Sequence, residues 1–334
     1  MPRLLVPPLP HHHHHHGPGH GHGHGQHVSQ GALLLNVRRS ALVQDTLAQL
    51  QRIPSSADLK RPLKIQFHGE DGIDAGGVKR EFFALLIRDL FSVDYNMWTV
   101  ENDTLVINPT SIYSPSSASA SASASSSSAA AATGSSPVSA LPTSVVDLCD
   151  EARNTLAEYE LVGTLMGLAL SNNVHLELSL PRVYYRKLLH GAQSDPEAGL
   201  LPPVPLAYSL SDLADVSPEV AKGLHLLQIH PAASSAEFAD TFGLDFTFEH
   251  TVFGERIVRE LVEGGASIPV TLENRAAYVA AYTKYVLHDS IQLQFEALAK
   301  GFFKVAAKAP FRLLQSPEDL EVSRRPTHAR ASRV

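Results

Sequence analysis

The segment Leu63-Lys-Ile-Gln-Phe-His-Gly-Glu-Asp-Gly-Ile-Asp-Ala-Gly-Gly-Val-Lys-Arg-Glu-Phe-Phe83 contains, in direct succession, a strand pattern, a glycine-rich turn and the start of a helix. Its first five residues alternate between apolar and polar, which predicts a short β-strand. From Val78 to Leu90 apolar residues recur every four positions, which is the spacing of a helix with one buried face. The segment therefore predicts a strand that leads through a turn into a helix.

The turn, residues 68–77, holds four glycines and three carboxylates. A phosphate-binding loop is excluded because the lysine and glycine spacings are missing and because Glu70, Asp71 and Asp74 would repel a phosphate. The same carboxylates lack the alternate spacing of a calcium loop. We predict a tight turn in which glycines adopt positive φ angles and carboxylates cap the first backbone NH groups of the helix.

The rest of the foldable sequence is mainly helical. Apolar spacing predicts helices over Val43–Leu50, Leu156–Leu170 and Ile291–Phe302, and a short strand over Leu105–Ile107. The helix from Leu156 is apolar almost all round, so we expect it to be central. Gly163 and Gly167 within it should allow another element to approach closely. Ser316-Pro317 is typical of the start of one further helix.

Three segments have too little apolar sequence to fold. Residues 1–27 contain ten histidines among glycine and proline, residues 114–144 are mostly Ser and Ala, and residues 322–334 are basic and aperiodic. We expect all three to be disordered. The folded domain should therefore span residues 28–321, interrupted by the insertion 114–144.

Composition limits the function classes. The chain has 334 residues and a formal net charge of −7, so it lacks the basic character of a nucleic-acid binder. Its longest apolar run, residues 165–170, is too short to cross a bilayer. One cysteine excludes an internal disulfide and a multi-cysteine zinc site. These features favour the cytoplasm, with the nucleus as an alternative, and no membrane or nucleic-acid partner.

The residues themselves indicate no active site. Cys149 lies beside Asp147, Asp150 and Glu151, whose negative charges disfavour the thiolate that nucleophilic catalysis requires. The histidines outside the N-terminal tail show no metal-ligand spacing, so we expect no metal and no cofactor. Two pairs of residues four apart, Val220 with Leu224 and Tyr278 with Tyr282, fit either a helix core or a groove for a partner.

The segment from Leu63 to Phe83 resembles the beginning of a HECT domain, the catalytic module of HECT-type E3 ubiquitin ligases. Further blocks resemble the family in the same order, and the resemblance covers about residues 33–113 and 155–321. These blocks are Tyr95–Trp98, Ile107–Ser111, Leu161–Asn173, Leu180–Leu189, Val252–Gly254, Ile268–Arg275, Gln294–Phe302 and Ser316–Glu321.

The resemblance implies a fold and an activity. It implies a mainly α fold with short β-strands, the N-terminal lobe of a HECT domain, with a large helical subdomain and a small α/β subdomain that binds a ubiquitin-conjugating enzyme (E2). HECT ligases accept ubiquitin from the E2 on a cysteine of a second lobe and pass it to a substrate lysine. That lobe and its cysteine have no counterpart in this sequence, and Cys149 does not occupy its place, so we expect no catalytic residue here.

The resemblance also implies which residues contact the E2, the expected partner, with ubiquitin as a second candidate. They fall in residues 205–265 and the following helix, and are Val220, Leu224, His230, Leu244, Phe246, Tyr278 and Tyr282. His230 departs from the aromatic residue expected at its position. Two alternatives to an active ligase remain open: an inactive module that binds E2 without transferring ubiquitin, and an incomplete gene model of an active enzyme.

Overall fold

The structure is a computed structural model that describes residues 31–70, 76–92, 95–101, 103–113, 148–176, 178–193, 205–252 and 254–306. The three segments predicted to be disordered, and the helix predicted at Ser316, lie outside these residues. Among the described residues, no helix combines the length and the apolar character that crossing a bilayer requires.

The fold begins with two strands that pair in parallel, β1 (Leu33–Val37) and β2 (Leu63–Phe67). Helices α1 (Leu42–Gln51) and α2 (Ser56–Leu59) connect them, and α3 (Gly77–Leu90) follows. The register pairs the first residues of both strands and continues in step, so both strands bury the same alternate positions. The predictions of β2, α1 and α3 are confirmed.

The turn between β2 and α3 matches its prediction in part. Gly69 and Gly76 have φ angles of 81° and 95°, a region that side chains other than glycine rarely adopt. Glu70 does not cap the helix, because it accepts hydrogen bonds from the guanidinium of Arg39 instead. Asp71 and Asp74, the other two carboxylates of the prediction, lie outside the described residues.

A hairpin and two helices come next. Strands β3 (Trp98–Glu101) and β4 (Thr104–Ile107) pair antiparallel, and β4 confirms the strand predicted there. Helix α4 (Asp150–Ser171) is buried along most of its last three turns, as its sequence predicts, and α5 (Arg182–Gln193) follows it.

The remaining elements build the region of the predicted groove. They are α6 (Leu210–Val216), α7 (Pro218–Ile229), α8 (Ser235–Phe242), the antiparallel hairpin of β5 (Thr247–Val252) and β6 (Glu255–Glu260), α9 (Arg275–Leu287) and α10 (Gln292–Val305). The capping box of Ser209 and Asp212 starts α6, and Pro218 occupies the first turn of α7.

Helices α4 and α10 make the closest helix contact in the core. A Cβ atom added at Gly163 would lie 1.8 Å from the carbonyl oxygen of Leu298, and one added at Gly301 would lie 1.9 Å from that of Glu160. Each helix thus presents a glycine to the backbone of the other, which confirms that the small residues of α4 serve packing. Lys300 also donates to Glu160 across the crossing.

Candidate functional site

Helix α9 carries three tyrosines that organise the candidate site. The ring of Tyr278 packs edge-on against Phe246 with 5.4 Å between ring centroids, and Tyr282 lies 5.9 Å from Tyr278. Tyr282 also contacts Phe248 of β5 at 5.1 Å. Burial raises the pKa of Tyr278 to about 12 and raises that of Tyr282 as well, so both hydroxyls are protonated at neutral pH. The rings form a continuous row along the helix.

Phe246 lies at the buried end of this row. Backbone hydrogen bonds fix its main chain, and its ring packs against Tyr278. Its NH donates to the carbonyls of Gly265 and Ile268, both at 3.1 Å, and its carbonyl accepts from Leu261. Gly265 approaches so closely that an added Cβ would lie 2.4 Å from the carbonyl oxygen of Phe246. Phe246 is 4% exposed, so in the isolated chain it is a core residue.

His230 and Leu244 flank the site. His230 ends α7, where its carbonyl accepts from the guanidinium of Arg275 at 2.7 Å, and its ring lies 5.0 Å from that of Phe242. The carbonyl of Leu244 accepts from Val270 at 2.7 Å. Both side chains are half-buried, and the buried Nδ1 of His230 has no hydrogen-bond partner within the part of the chain that the structure describes.

Helix α7 presents one face to the core and another to solvent. Leu224 is buried and Val220 is half-buried, as the helix-core interpretation of their spacing expects. Leu226 and Ile229 point outward and are 54% and 58% exposed. The resemblance did not indicate these two residues. The available signal was that α7 has more apolar positions than one buried stripe requires.

The side chains of His250 and Tyr285 pack against Phe248 of the hairpin. This contact was not predicted from the sequence. The Nε2 of His250 lies 2.6 Å from the hydroxyl of Tyr285, and both rings pack against Phe248. Burial, with Arg259 nearby, lowers the pKa of His250 to about 4, so the ring is neutral at cellular pH. A neutral imidazole can form this hydrogen bond at any pH at which the protein works.

Arg259 completes this group from β6, directly opposite Phe248 in the register. It is 4% exposed, and one Nη donates to the hydroxyl of Tyr113 at 3.3 Å. Among the described residues, its Nε and other Nη have no hydrogen-bond partner. The hydrogen bond to Tyr113 links the hairpin to an earlier part of the chain, and no described carboxylate pairs with this buried side chain.

The structure therefore brings Phe246, Tyr278 and Tyr282 together along α9. Leu244 is joined to Val270, and His230 to the first residue of α9. Leu224 and Val220 lie on the packed side of α7. No group of three or more metal-type side chains occurs in the described part of the chain. Cys149 is half-buried and directly precedes α4. No described histidine forms a hydrogen bond with its thiol.

Comparisons with known proteins agree on one family. The family model described as HECT-domain (ubiquitin-transferase) matches residues 84–323. Relatives include the probable E3 ubiquitin-protein ligase HECTD2 of Mus musculus, 35% identical over 299 residues, and mug30 of Schizosaccharomyces pombe, 31% identical over 290. HERC3 of Homo sapiens is 30% identical over 286 residues.

These matches cover most of this chain but little of each relative. They include 89%, 86% and 86% of this chain, against 33%, 28% and 22% of HECTD2, mug30 and HERC3. The chain thus spans a third or less of the length of the curated relatives it matches. The likeness accordingly concerns one module of those ligases.

Proposed function

The chain belongs to the HECT family, and from this premise we propose that it is the lobe of an E3 ubiquitin ligase that docks a ubiquitin-conjugating enzyme. Within the family the E2 delivers ubiquitin as a thioester, and docking brings that thioester to the ligase. The observation that carries the proposal is the aromatic row on α9, because Tyr282 within it is only half-buried, whereas Phe246 and Tyr278 are buried.

Large aromatic side chains in desolvated pockets dominate the energetics of protein interfaces. Tyr282 is suited to this role because Tyr278 and Phe248 hold its ring from two sides, so little side-chain freedom is lost on binding. The neutral His250–Tyr285 pair holds Phe248 in turn. We propose that residues 205–265 and α9 form the E2-binding subdomain.

The proposal gives no acceptor role to Cys149. This residue directly precedes α4, followed by the exposed carboxylates of Asp150 and Glu151. No described histidine or lysine is bonded to it. The lobe would then contribute docking and orientation, while the thiol that receives ubiquitin in the family belongs to the second lobe.

Calorimetric titration with a recombinant E2 tests the docking role. We expect micromolar binding, near −8 kcal/mol, and about thirtyfold weaker binding for Tyr282→Ala, since truncating a hot-spot aromatic costs about 2 kcal/mol. Tyr95→Ala is the matched control, because Tyr95 is half-buried but lies outside the candidate site.

Thermal melts of the same variants separate binding from folding. Tyr282→Ala should keep most of the melting temperature, whereas Phe246→Ala should lower it strongly, since truncating a buried phenylalanine costs about 3–5 kcal/mol. E2 binding that Tyr282→Ala leaves unchanged would contradict the proposal. So would a loss of binding that only follows a loss of the fold.

A further inference from the structure

The negative charge of this protein is concentrated in the region of the candidate site. Residues 205–274 contain eleven Asp and Glu but only three Lys and Arg, a net charge of −8. The other residues of the chain contain 23 acidic and 24 basic side chains, a net charge of +1. A charge this uneven creates a field at one part of the surface only.

Five of the eleven carboxylates in this region are free to act on a partner. Of the three basic residues in the region, Arg256 is paired with Glu249 and Arg259 is buried, which leaves Lys222. Five exposed carboxylates form no ion pair with the described residues: Asp215, Glu219, Asp240, Asp245 and Glu263. Glu219 and Lys222 lie on the outward face of α7 itself.

The same region exposes most of the large apolar side chains found at the surface. Six large hydrophobic residues are exposed in the described structure, and Leu226, Ile229, Val262 and Ile268 account for four of them. Leu226 and Ile229 are three residues apart on α7, so they share one face. No described element covers that face.

We propose that the outward face of α7, centred on Leu226 and Ile229, is a docking surface for an E2 whose contact face is basic. The occupant has apolar residues that meet Leu226 and Ile229, and lysines or arginines that meet Glu219 on the same helix and are attracted by the net negative charge of the region. A region of net negative charge attracts such a partner and repels an acidic one. This inference rests on the proposed function and names the class of E2 that the lobe takes.

Two recombinant E2 enzymes of the same fold, one with a basic and one with an acidic contact face, provide the probes. With the full chain at about 50 mM NaCl, the basic E2 should bind at least about tenfold more tightly. Its affinity should fall roughly tenfold when NaCl rises to about 300 mM, since salt screens exposed charges.

Substitutions then assign the effect to α7. Leu226→Ser and Ile229→Ser should each weaken binding of the basic E2 about tenfold, with unchanged melts because both side chains are exposed. Val100→Ser is the matched control, since Val100 is 68% exposed but lies outside the region. Glu219→Lys should reduce the salt dependence, and Glu101→Lys on β3 should not.

The outcomes distinguish this inference from the proposed function. If Tyr282→Ala abolishes E2 binding, but the affinity does not change with NaCl concentration or with either serine substitution, the inference is overturned and the proposed function stands. Equal binding of the acidic E2 would overturn the inference too. If neither E2 binds at either salt concentration, both the inference and the proposed function fail.

Discussion

Lys187 shows how one buried charge sets a pH response. Its ammonium lies on α5, 3.1 Å from the carbonyl of Leu287 at the end of α9 and 4.1 Å from the ring centroid of Phe295. Burial lowers its pKa from 10.5 to about 7, and the carboxylates of Asp289 and Glu296 only partly oppose this. The fold thus prefers the neutral amine, although it supplies a carbonyl acceptor and an aromatic face.

We predict that Lys187 makes the protein more stable as pH rises from about 7 towards 10.5. In this window the unfolded chain binds the proton and the folded chain does not, so each pH unit adds up to about 1.4 kcal/mol. Urea unfolding of Lys187→Met across this range should show a flatter pH dependence than the wild type.

The control for this prediction is Lys284→Met, because Lys284 is exposed on α9 and paired with Asp289. Its pH dependence should follow that of the wild type. Parallel curves for wild type and Lys187→Met would show that the amine is solvated in the folded protein.

The crossing of α4 and α10 determines how closely these two helices pack in the core. Gly163 and Gly301 each meet a backbone carbonyl of the opposite helix, at distances where a methyl group has no room. Glycine costs helix stability by about 1 kcal/mol relative to alanine, so its presence here is compensated by the close packing.

We predict that Gly163→Ala destabilises the protein by about 1–3 kcal/mol, because overpacking outweighs the gain in helix propensity. Gly223→Ala is a control with the opposite expectation. Gly223 lies within α7 with nothing within 4 Å of an added Cβ, so alanine should stabilise by up to about 1 kcal/mol. Thermal melts of both variants check the pair; stabilisation by both would mean that the helices are farther apart.

Periodicity predicted four of the ten α-helices described above, but not the strand pairing. Clear apolar spacing identified α1, α3, α4 and α10, because each buries one regular stripe or is buried all round. Strand β1 was not predicted, since Leu33-Leu-Leu35 hides the alternation that only pairing with β2 reveals. The β5–β6 hairpin alternates weakly and carries several charges, so its register depends on packing against α9.

The candidate site was predictable in part. Spacing and resemblance indicated Tyr278 and Tyr282, which lie one helical turn apart on α9 and so contact each other. The burial of Phe246 depends on residues 261–270, which fold over it through backbone hydrogen bonds that no local pattern encodes. The exposure of Leu226 and Ile229 was hidden for a similar reason, because sequence does not show which side of α7 meets the core.

The negative charge and the proposed docking surface fall in one region of the chain, residues 205–287, whereas the described core is shared. The buried apolar residues of α4, α5, α7 and α9 belong to one hydrophobic cluster. The acidic region therefore rests on the same core as the rest of the lobe. Under the proposed function, an E2 bound there would rest on elements that share one core, which suits the orientation of a thioester for transfer.

We predict that the full chain, mixed with ubiquitin, activating enzyme, E2 and ATP, forms no ubiquitin thioester of its own. Its only thiol is Cys149, which is half-buried and followed by two carboxylates. Non-reducing gels should show the E2 thioester alone. A DTT-sensitive adduct on the chain that disappears in Cys149→Ala would contradict this.

The glycine crossing also restricts how this protein can change over generations. Each glycine faces a carbonyl oxygen, which every amino acid carries, so no second substitution in the opposite helix can make room for a side chain at Gly163 or Gly301. A tight side-chain contact can be relieved by a smaller neighbour, but this one cannot. Gly163 and Gly301 therefore tolerate other residues poorly, whereas Gly223, which has open space around it, tolerates them.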